Sequence, residues 1–299
     1  PVFQIALAAQ HPQRQAVQGM MLRVITVTVL LAVLCIAIAM GPLAFAGVMA
    51  VAFGAALYEW LRMGGLGPVP AILVAAVEMI TQFSLYWAGA LPRMEWFLFI
   101  IDGAVMLAWF AIFFTELAHR KNGFKVSVRT CLVSAVTFVP AAYLSLLYLY
   151  EIGDWVMVLS VLLIVWGADI SAYFSGRAWG KHPMAPAISP KKTWEGALGA
   201  YVIVIVFFLL TYWFCIQKNV FTNFLFDELG FIWGVVVLAG LVALSIAGDL
   251  WESMLKRLVG IKDSSNLLPG HGGFFDRMDA TLPVIPAATW IILSVVLAR

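Results

Sequence analysis

Charge is what this sequence has least of. Asp, Glu, Lys and Arg make up 11% of its 299 residues, against about 25% in a soluble globular domain. That shortage argues against the two soluble domains that the length alone would allow. Cysteine is scarce as well. Cys35, Cys131 and Cys215 each lie inside an apolar run, with no CxxC or Cys/His spacing. A disulfide framework or thiolate metal site is therefore not expected, and buried, inert thiols are. The formal net charge of +2 says little by itself, and no nucleic-acid partner is expected. No signal-peptide cleavage pattern precedes the first apolar run, which is read as a retained helix.

What the chain has instead is apolar sequence: 63% of residues are hydrophobic and the mean hydropathy is +0.98. Uninterrupted runs of about 20 residues identify an all-α polytopic integral membrane protein. Nine transmembrane helices are expected, at roughly 22–41, 44–61, 70–90, 96–117, 130–150, 155–174, 197–217, 230–250 and 281–298. The first two are short, share a tight Gly41-Pro42 turn and are expected to form a shallow pair. Residues 1–20 form a weakly patterned extension without an initial Met, and Met20-Met21 marks the expected functional start. Residues 21–150 then supply amino-terminal helices, and 151–299 a region with two polar loops, 175–196 and 251–280.

Lys and Arg orient the helices. With the amino terminus in the cytoplasm, fifteen of the 18 basic residues fall on that side, among them Arg14, Arg120, Lys121, Lys125, Lys191 and Lys192; only Arg93, Lys218 and Arg299 fall opposite. This positive-inside bias puts the carboxyl terminus outside and both polar loops in the cytoplasm. A bacterial cytoplasmic (inner) membrane location is expected.

The stretch Asp249–Asp279 concentrates the scarce charge, with nine of the chain's 34 charged residues. A helix continuing past Asp249 would bring Asp249, Glu252 or Ser253, and Lys256 to one face. Next comes Pro269-Gly270-His271-Gly272-Gly273, whose glycines let backbone N–H groups approach an anion. Asp276 and Asp279 follow at i, i+3. Carboxylates among cations beside a Gly-rich loop suit a Mg²⁺ ion that holds phosphates, the hard oxygen ligands taking the metal. The alternative is a juxtamembrane charge network touching anionic lipid headgroups.

The second polar block runs from Asp169 to Glu195. Asp169 and Tyr173 lie one turn apart at a helix end, and Ser189-Pro190-Lys191-Lys192-Thr193 precedes Trp194-Glu195-Gly196. Ser-Pro followed by Thr reads as a helix start, where free N–H groups favour phosphate. A capped, positively charged loop is the alternative. It explains the lysines but not Asp169.

Residues 253–279, SMLKRLVGIKDSSNLLPGHGGFFDRMD, resemble the signature of the phosphatidate cytidylyltransferase (CDP-diacylglycerol synthase) family at every fixed position. The block with Asp169, Tyr173, Gly176, Gly180-Lys181-His182, Ser189-Pro190, Lys192-Thr193 and Glu195-Gly196 resembles it too. The resemblance is specific over roughly 155–298 and general before that. It implies cytidylyl transfer from CTP to phosphatidate, a membrane lipid, giving CDP-diacylglycerol and pyrophosphate with Mg²⁺ and room for a second cation. It also brings a homodimer. On this reading Asp249 and Asp276 hold the metal, and together with Lys192 and Lys256 form the catalytic set. Ser189, Thr193, Lys262, His271, Gly272, Gly273 and Arg277 contact phosphate, and Asp169, Asp263 and Asp279 stand behind them.

Three acids fall outside both blocks. Glu59, beside Trp60, is expected at the membrane interface; Glu78 and Asp102 lie deep in their spans and are read as helix-packing residues. Trp60, Trp87, Trp96, Trp155, Trp194 and Trp251 are expected to form an aromatic belt. The competing functions are a CTP-dependent kinase of a polyprenol-type alcohol and, outside enzymes, a membrane transporter. The complete signature argues against the kinase, and the lack of paired discontinuous helices argues against the transporter.

Overall fold

A computed structural model describes residues 2–119, 126–214 and 219–299, without the side chains of 2–20. Arg120, Lys121, Lys125, Cys215, Lys218 and the side chain of Arg14 lie outside the described residues. The elements are α1 (Val2–Met40), α2 (Pro42–Met63), α3 (Pro68–Trp87), α4 (Glu95–Ala118), α5 (Val128–Trp179), β1 (Pro183–Ala185), β2 (Ser189–Thr193), α6 (Trp194–Phe214), α7 (Phe221–Leu229), α8 (Phe231–Leu258), α9 (Phe275–Met278) and α10 (Thr281–Val296). Apart from the antiparallel β1–β2 hairpin, which pairs Pro183 with Thr193 and Ala185 with Ser189, the described chain is helical.

Among the described residues, seven helices are long and apolar enough to cross a membrane: α1 through its Met21–Met40 part, α2, α3, α4, α5, α6 and α8. The sequence leads one to expect nine, and two features account for the difference. The fifth and sixth predicted spans form one 52-residue helical run, α5, interrupted at Gly153 (φ −149°, ψ 19°) and Asp154 (φ 58°, ψ −166°). The break falls between the two predicted spans. The last predicted span, α10, has 16 residues and at 1.5 Å per residue reaches about 24 Å, short of a hydrocarbon core of about 30 Å.

The amino-terminal expectations change more. Residues 2–20 continue as helix into the first span rather than forming a separate extension. Gly41 (φ 104°) makes the turn, with Pro42 opening α2, where a missing N–H costs nothing. At 22 residues, α2 is about 33 Å long, enough to cross a hydrocarbon core of about 30 Å.

Many outward side chains are apolar, among them Ile72, Ile80, Phe114, Val202 and Trp213, as a lipid-facing surface requires. Trp87, Trp96, Trp155 and Trp194 are exposed, but Trp60 and Trp251 are buried and are not belt residues. They belong to an aromatic cluster beneath the polar loops. Trp60 packs on Phe275 (centroids 4.7 Å) and Phe138 (6.2 Å), while Trp109 packs on Phe138 (4.8 Å) and Trp251 (6.4 Å). Rings from α2, α4, α5, α8 and α9 thus form one floor, each pair adding about 0.5–1.5 kcal/mol beyond burial.

Deeper in the helices, Asp102 is fully buried and accepts a hydrogen bond from Ser145 Oγ (2.9 Å), whose carbonyl accepts from Thr289 Oγ1 (3.2 Å). This joins α4, α5 and α10, in keeping with a packing role. Glu78 is half-buried and has no hydrogen bond or ion pair among the described residues. Cys131 is buried but Cys35 is exposed, on the sparsely covered α1.

Candidate active site

The site begins with helix periodicity. α8 does continue past Asp249, to Leu258, so Asp249, Glu252 and Lys256 share a face as their spacing requires. Lys256 Nζ pairs with Glu252 Oε1 at 2.5 Å and with Asp276 Oδ1 at 2.9 Å. Gly248 lets the chain return: a Cβ there would stand 3.0 Å from the Ala280 Cα and closer still to the Asp279 carbonyl oxygen. Asp279 therefore comes up beside α8. Carboxylate oxygens of Asp249, Glu252 and Asp279 lie within 4.8 Å of one another.

Lys192 arrives from the other polar block. The sequence suggests a helix start at Ser189–Thr193, but these residues form strand β2, packed against α8. The helix begins at Trp194, with Thr193 Oγ1 accepting the Gly196 N–H at 3.1 Å. Thr193 thus caps α6 through an oxygen lone pair, which leaves its hydroxyl proton for another acceptor. A 2.5 Å contact between His182 Nδ1 and Glu195 Oε1 fastens the hairpin to α6. One residue before that cap, Lys192 Nζ meets Asp249 Oδ2 at 2.5 Å. Asp169 is accessible and lies within electrostatic reach of Asp249, Lys192 and Arg277.

The sequence reading gives the metal to Asp249 with Asp276, and the structure surrounds the second of these with protein donors. Asp276 is engaged by Ser264 N–H (2.9 Å), Gly273 N–H (2.8 Å) and Lys256 Nζ (2.9 Å), with Ser264 Oγ at 3.0 Å sharing its one proton with Glu59. Burial alone would raise its pKa, but contacts to Glu252, Gly273, Lys256 and Ser264 outweigh it and hold the carboxyl well below the usual range. Asp279 behaves oppositely. Burial, with the Asp249 and Asp169 charges beside it, pushes it well above that range. Crowded carboxyls short of positive charge are the donor set a hard divalent cation neutralises, and Asp249, Glu252 and Asp279 fit one.

The Gly-rich loop also differs from its reading as an open anion cradle. Gly273 donates its N–H to Asp276, and a Cβ at Gly273 would collide with Ser264 Oγ and the Glu59 carboxylate. Gly272 (φ +84°) accepts the Leu268 N–H at 2.8 Å. Arg277 donates through Nε (3.0 Å) and Nη2 (2.7 Å) to the His271 carbonyl, closing the loop. His271 Nδ1 is buried and has no hydrogen-bond partner. Lys262 and Asp263 are exposed, with no hydrogen bond or ion pair among the described residues, and Ser189 is half-buried at the start of β2.

Two acids from the amino-terminal helices reach this assembly. Glu59 is not interfacial; it is buried and bonded to the Gly-rich loop. Glu116, near the end of α4, is fully buried, and neither carboxylate oxygen has a hydrogen-bond partner among the described residues. It faces Lys192 and Asp249 electrostatically.

A family model described as "Cytidylyltransferase family" matches residues 21–295. The chain is similar to proteins named phosphatidate cytidylyltransferase. That of Haemophilus influenzae is 43% identical over 130 residues, covering 44% of this chain and 43% of the relative. That of Pseudomonas aeruginosa is 43% identical over 137 residues (45% and 47%), and that of Mycobacterium bovis 41% over 142 residues (48% and 42%). The chain thus spans a little under half the length of the curated relatives it matches.

Proposed function

The chain belongs to the cytidylyltransferase family, and from that premise we propose that it transfers the cytidylyl group of CTP to phosphatidate, giving CDP-diacylglycerol and pyrophosphate for phospholipid synthesis. The observation that carries this reading is the 2.5 Å ion pair of Lys192 with Asp249. Two polar blocks far apart in sequence meet there, beside a trio of carboxylates.

The reaction needs two anions aligned and their developing charge dispersed. A phosphate oxygen of phosphatidate attacks the α-phosphorus of CTP. The bond from that phosphorus to the bridging oxygen breaks, and the electron pair leaves with pyrophosphate. No covalent enzyme intermediate is required, because the attacking oxyanion is already a nucleophile. Lys192 and Lys256 neutralise phosphate oxygens, each charge-assisted bond contributing about 1.5–3 kcal/mol. Ser189, Lys262, His271 and Arg277 border the loops as further donors, and Asp169 orients Lys192. Asp249, Glu252 and Asp279 would hold Mg²⁺. When bound, the ion draws charge from the triphosphate and fixes its shape.

The membrane arrangement belongs to the same reading. α5 crosses twice through its break and α10 contributes the ninth passage. The amino terminus and both polar loops face the cytoplasm of a bacterial inner membrane, as the basic residues favour. Family resemblance adds a homodimer, checked by the mass of the solubilised protein.

Purified protein incubated with CTP, phosphatidate and Mg²⁺ should release pyrophosphate and form CDP-diacylglycerol; EDTA should stop it and Mg²⁺ restore it. Release of CDP with a phosphorylated lipid would mean γ-phosphoryl transfer and sink the proposal.

A further inference from the structure

The sequence assigns the chemistry to the carboxyl-terminal half, yet the loop that carries it is held from the other half. Glu59 of α2 is 1% exposed. Its Oε1 accepts hydrogen bonds from Ser265 Oγ (2.5 Å) and the Phe274 N–H (3.2 Å). Its Oε2 accepts from Ser264 Oγ (3.0 Å) and the Phe275 N–H (2.8 Å). All four partners lie more than 200 positions away in sequence. The next residue, Trp60, packs on Phe275, so a ring contact and four donors lock the same turn.

These bonds lead into the site. Ser264 Oγ lies 3.0 Å from both Glu59 Oε2 and Asp276 Oδ2. Ser264 N–H and Gly273 N–H both donate to Asp276, which pairs with Lys256. A continuous run of contacts therefore joins Glu59, Ser264, Asp276, Lys256 and Glu252. Buried carboxylates are costly unless well bonded, and this one is fully used on a single loop. None of its four hydrogen-bond partners is among the residues assigned to phosphate.

We propose that Glu59 is a positioning residue that fixes Asp276, and through it Lys256, from the amino-terminal half of the chain. The catalytic consequence rests on the proposed function; the hold on the loop does not. Even an isosteric Glu59→Gln change is disruptive, because each oxygen faces a backbone N–H that cannot become an acceptor. The new amide would set donor against donor at Phe274 or Phe275.

The test has two arms. Hydrogen exchange on solubilised protein should show the Phe274–Asp276 amides exchanging at least about tenfold faster in Glu59→Gln, with α10 amides unchanged. Unchanged loop protection, or loss across both regions, would overturn the hold. In turnover, Glu59→Gln should lower kcat about tenfold or more with the KM for CTP within about threefold. Combined with Lys256→Met it should cost little beyond Lys256→Met alone. Multiplying losses, or an equal fall in Glu78→Gln, would mean Glu59 acts only as general packing. If the wild type does not turn over CTP at all, the proposed function fails, while the exchange arm still decides whether Glu59 holds the loop.

Discussion

Lys192 stands on a carboxylate that a metal would also draw on. Its ammonium occupies Asp249 Oδ2, a ligand in the carboxylate trio, so cation and lysine compete for one carboxylate. Lys192→Met should therefore bind Mn²⁺ several-fold more tightly than wild type while losing at least about 100-fold in turnover, the two effects separating positive charge at the metal from charge on phosphate. Weaker Mn²⁺ binding would show that the lysine supports the metal site. Glu116 makes a second test. A buried acid with no hydrogen-bond partner costs about 1–3 kcal/mol or more, so a purely structural role is hard to justify. Glu116→Gln should melt at the same or a higher temperature yet turn over at least about tenfold more slowly; full activity would dismiss it. Asp249, Glu252 and Lys256 were legible because i, i+3, i+7 spacing survives in any helix. Glu59 and Glu116 were not, since an acid near a span end has the same sequence appearance whether it meets headgroups or turns inward beneath a loop.

At the scale of elements, the site depends on two backbone features. Gly248 lets Asp279 approach α8. Gly248→Ala should push the α9 turn away, costing about 1–3 kcal/mol of stability and most of the activity; wild-type behaviour would mean the turn relaxes freely. The other feature is the α5 break. Asp154 adopts φ 58°, ψ −166°, a region nearly confined to glycine and costing a side chain about 1–3 kcal/mol. Asp154→Gly should raise the melting temperature by a few degrees, and a fall would mean the carboxylate has a role of its own. The predicted spans 130–150 and 155–174 left room for this break between them. It did not mark the β1–β2 hairpin. Strands of three and five residues carry no period, and Ser-Pro before Thr looks like a helix start either way. The role of Asp276 is open in the sequence for a related reason: a signature carboxylate can bind metal or brace the loop, and spacing alone does not distinguish the two.

Over the whole molecule, apolar helices form a frame and nearly all the chemistry sits at one end of α8. The amino-terminal half is part of that site rather than scaffolding around it. Glu59 grips the Gly-rich loop, Glu116 faces Lys192, and α1 touches the same loop through Arg23 Nε to the Gly270 carbonyl (3.1 Å) and Thr26 Oγ1 to the Pro269 carbonyl (2.8 Å). That the chain is built of apolar helices was legible from composition; their number was not, nor how α10 and the two arms of α5 use the bilayer, because hydropathy records length and not packing. The central claim is that Asp249, Glu252 and Asp279 form the metal centre while Asp276 braces the loop. Titrating solubilised protein with Mn²⁺, followed by electron paramagnetic resonance, tests it most directly. Asp249→Asn and Asp279→Asn should each weaken binding at least about tenfold and Asp276→Asn far less, whereas loss in Asp276→Asn with retention in Asp279→Asn would contradict the account.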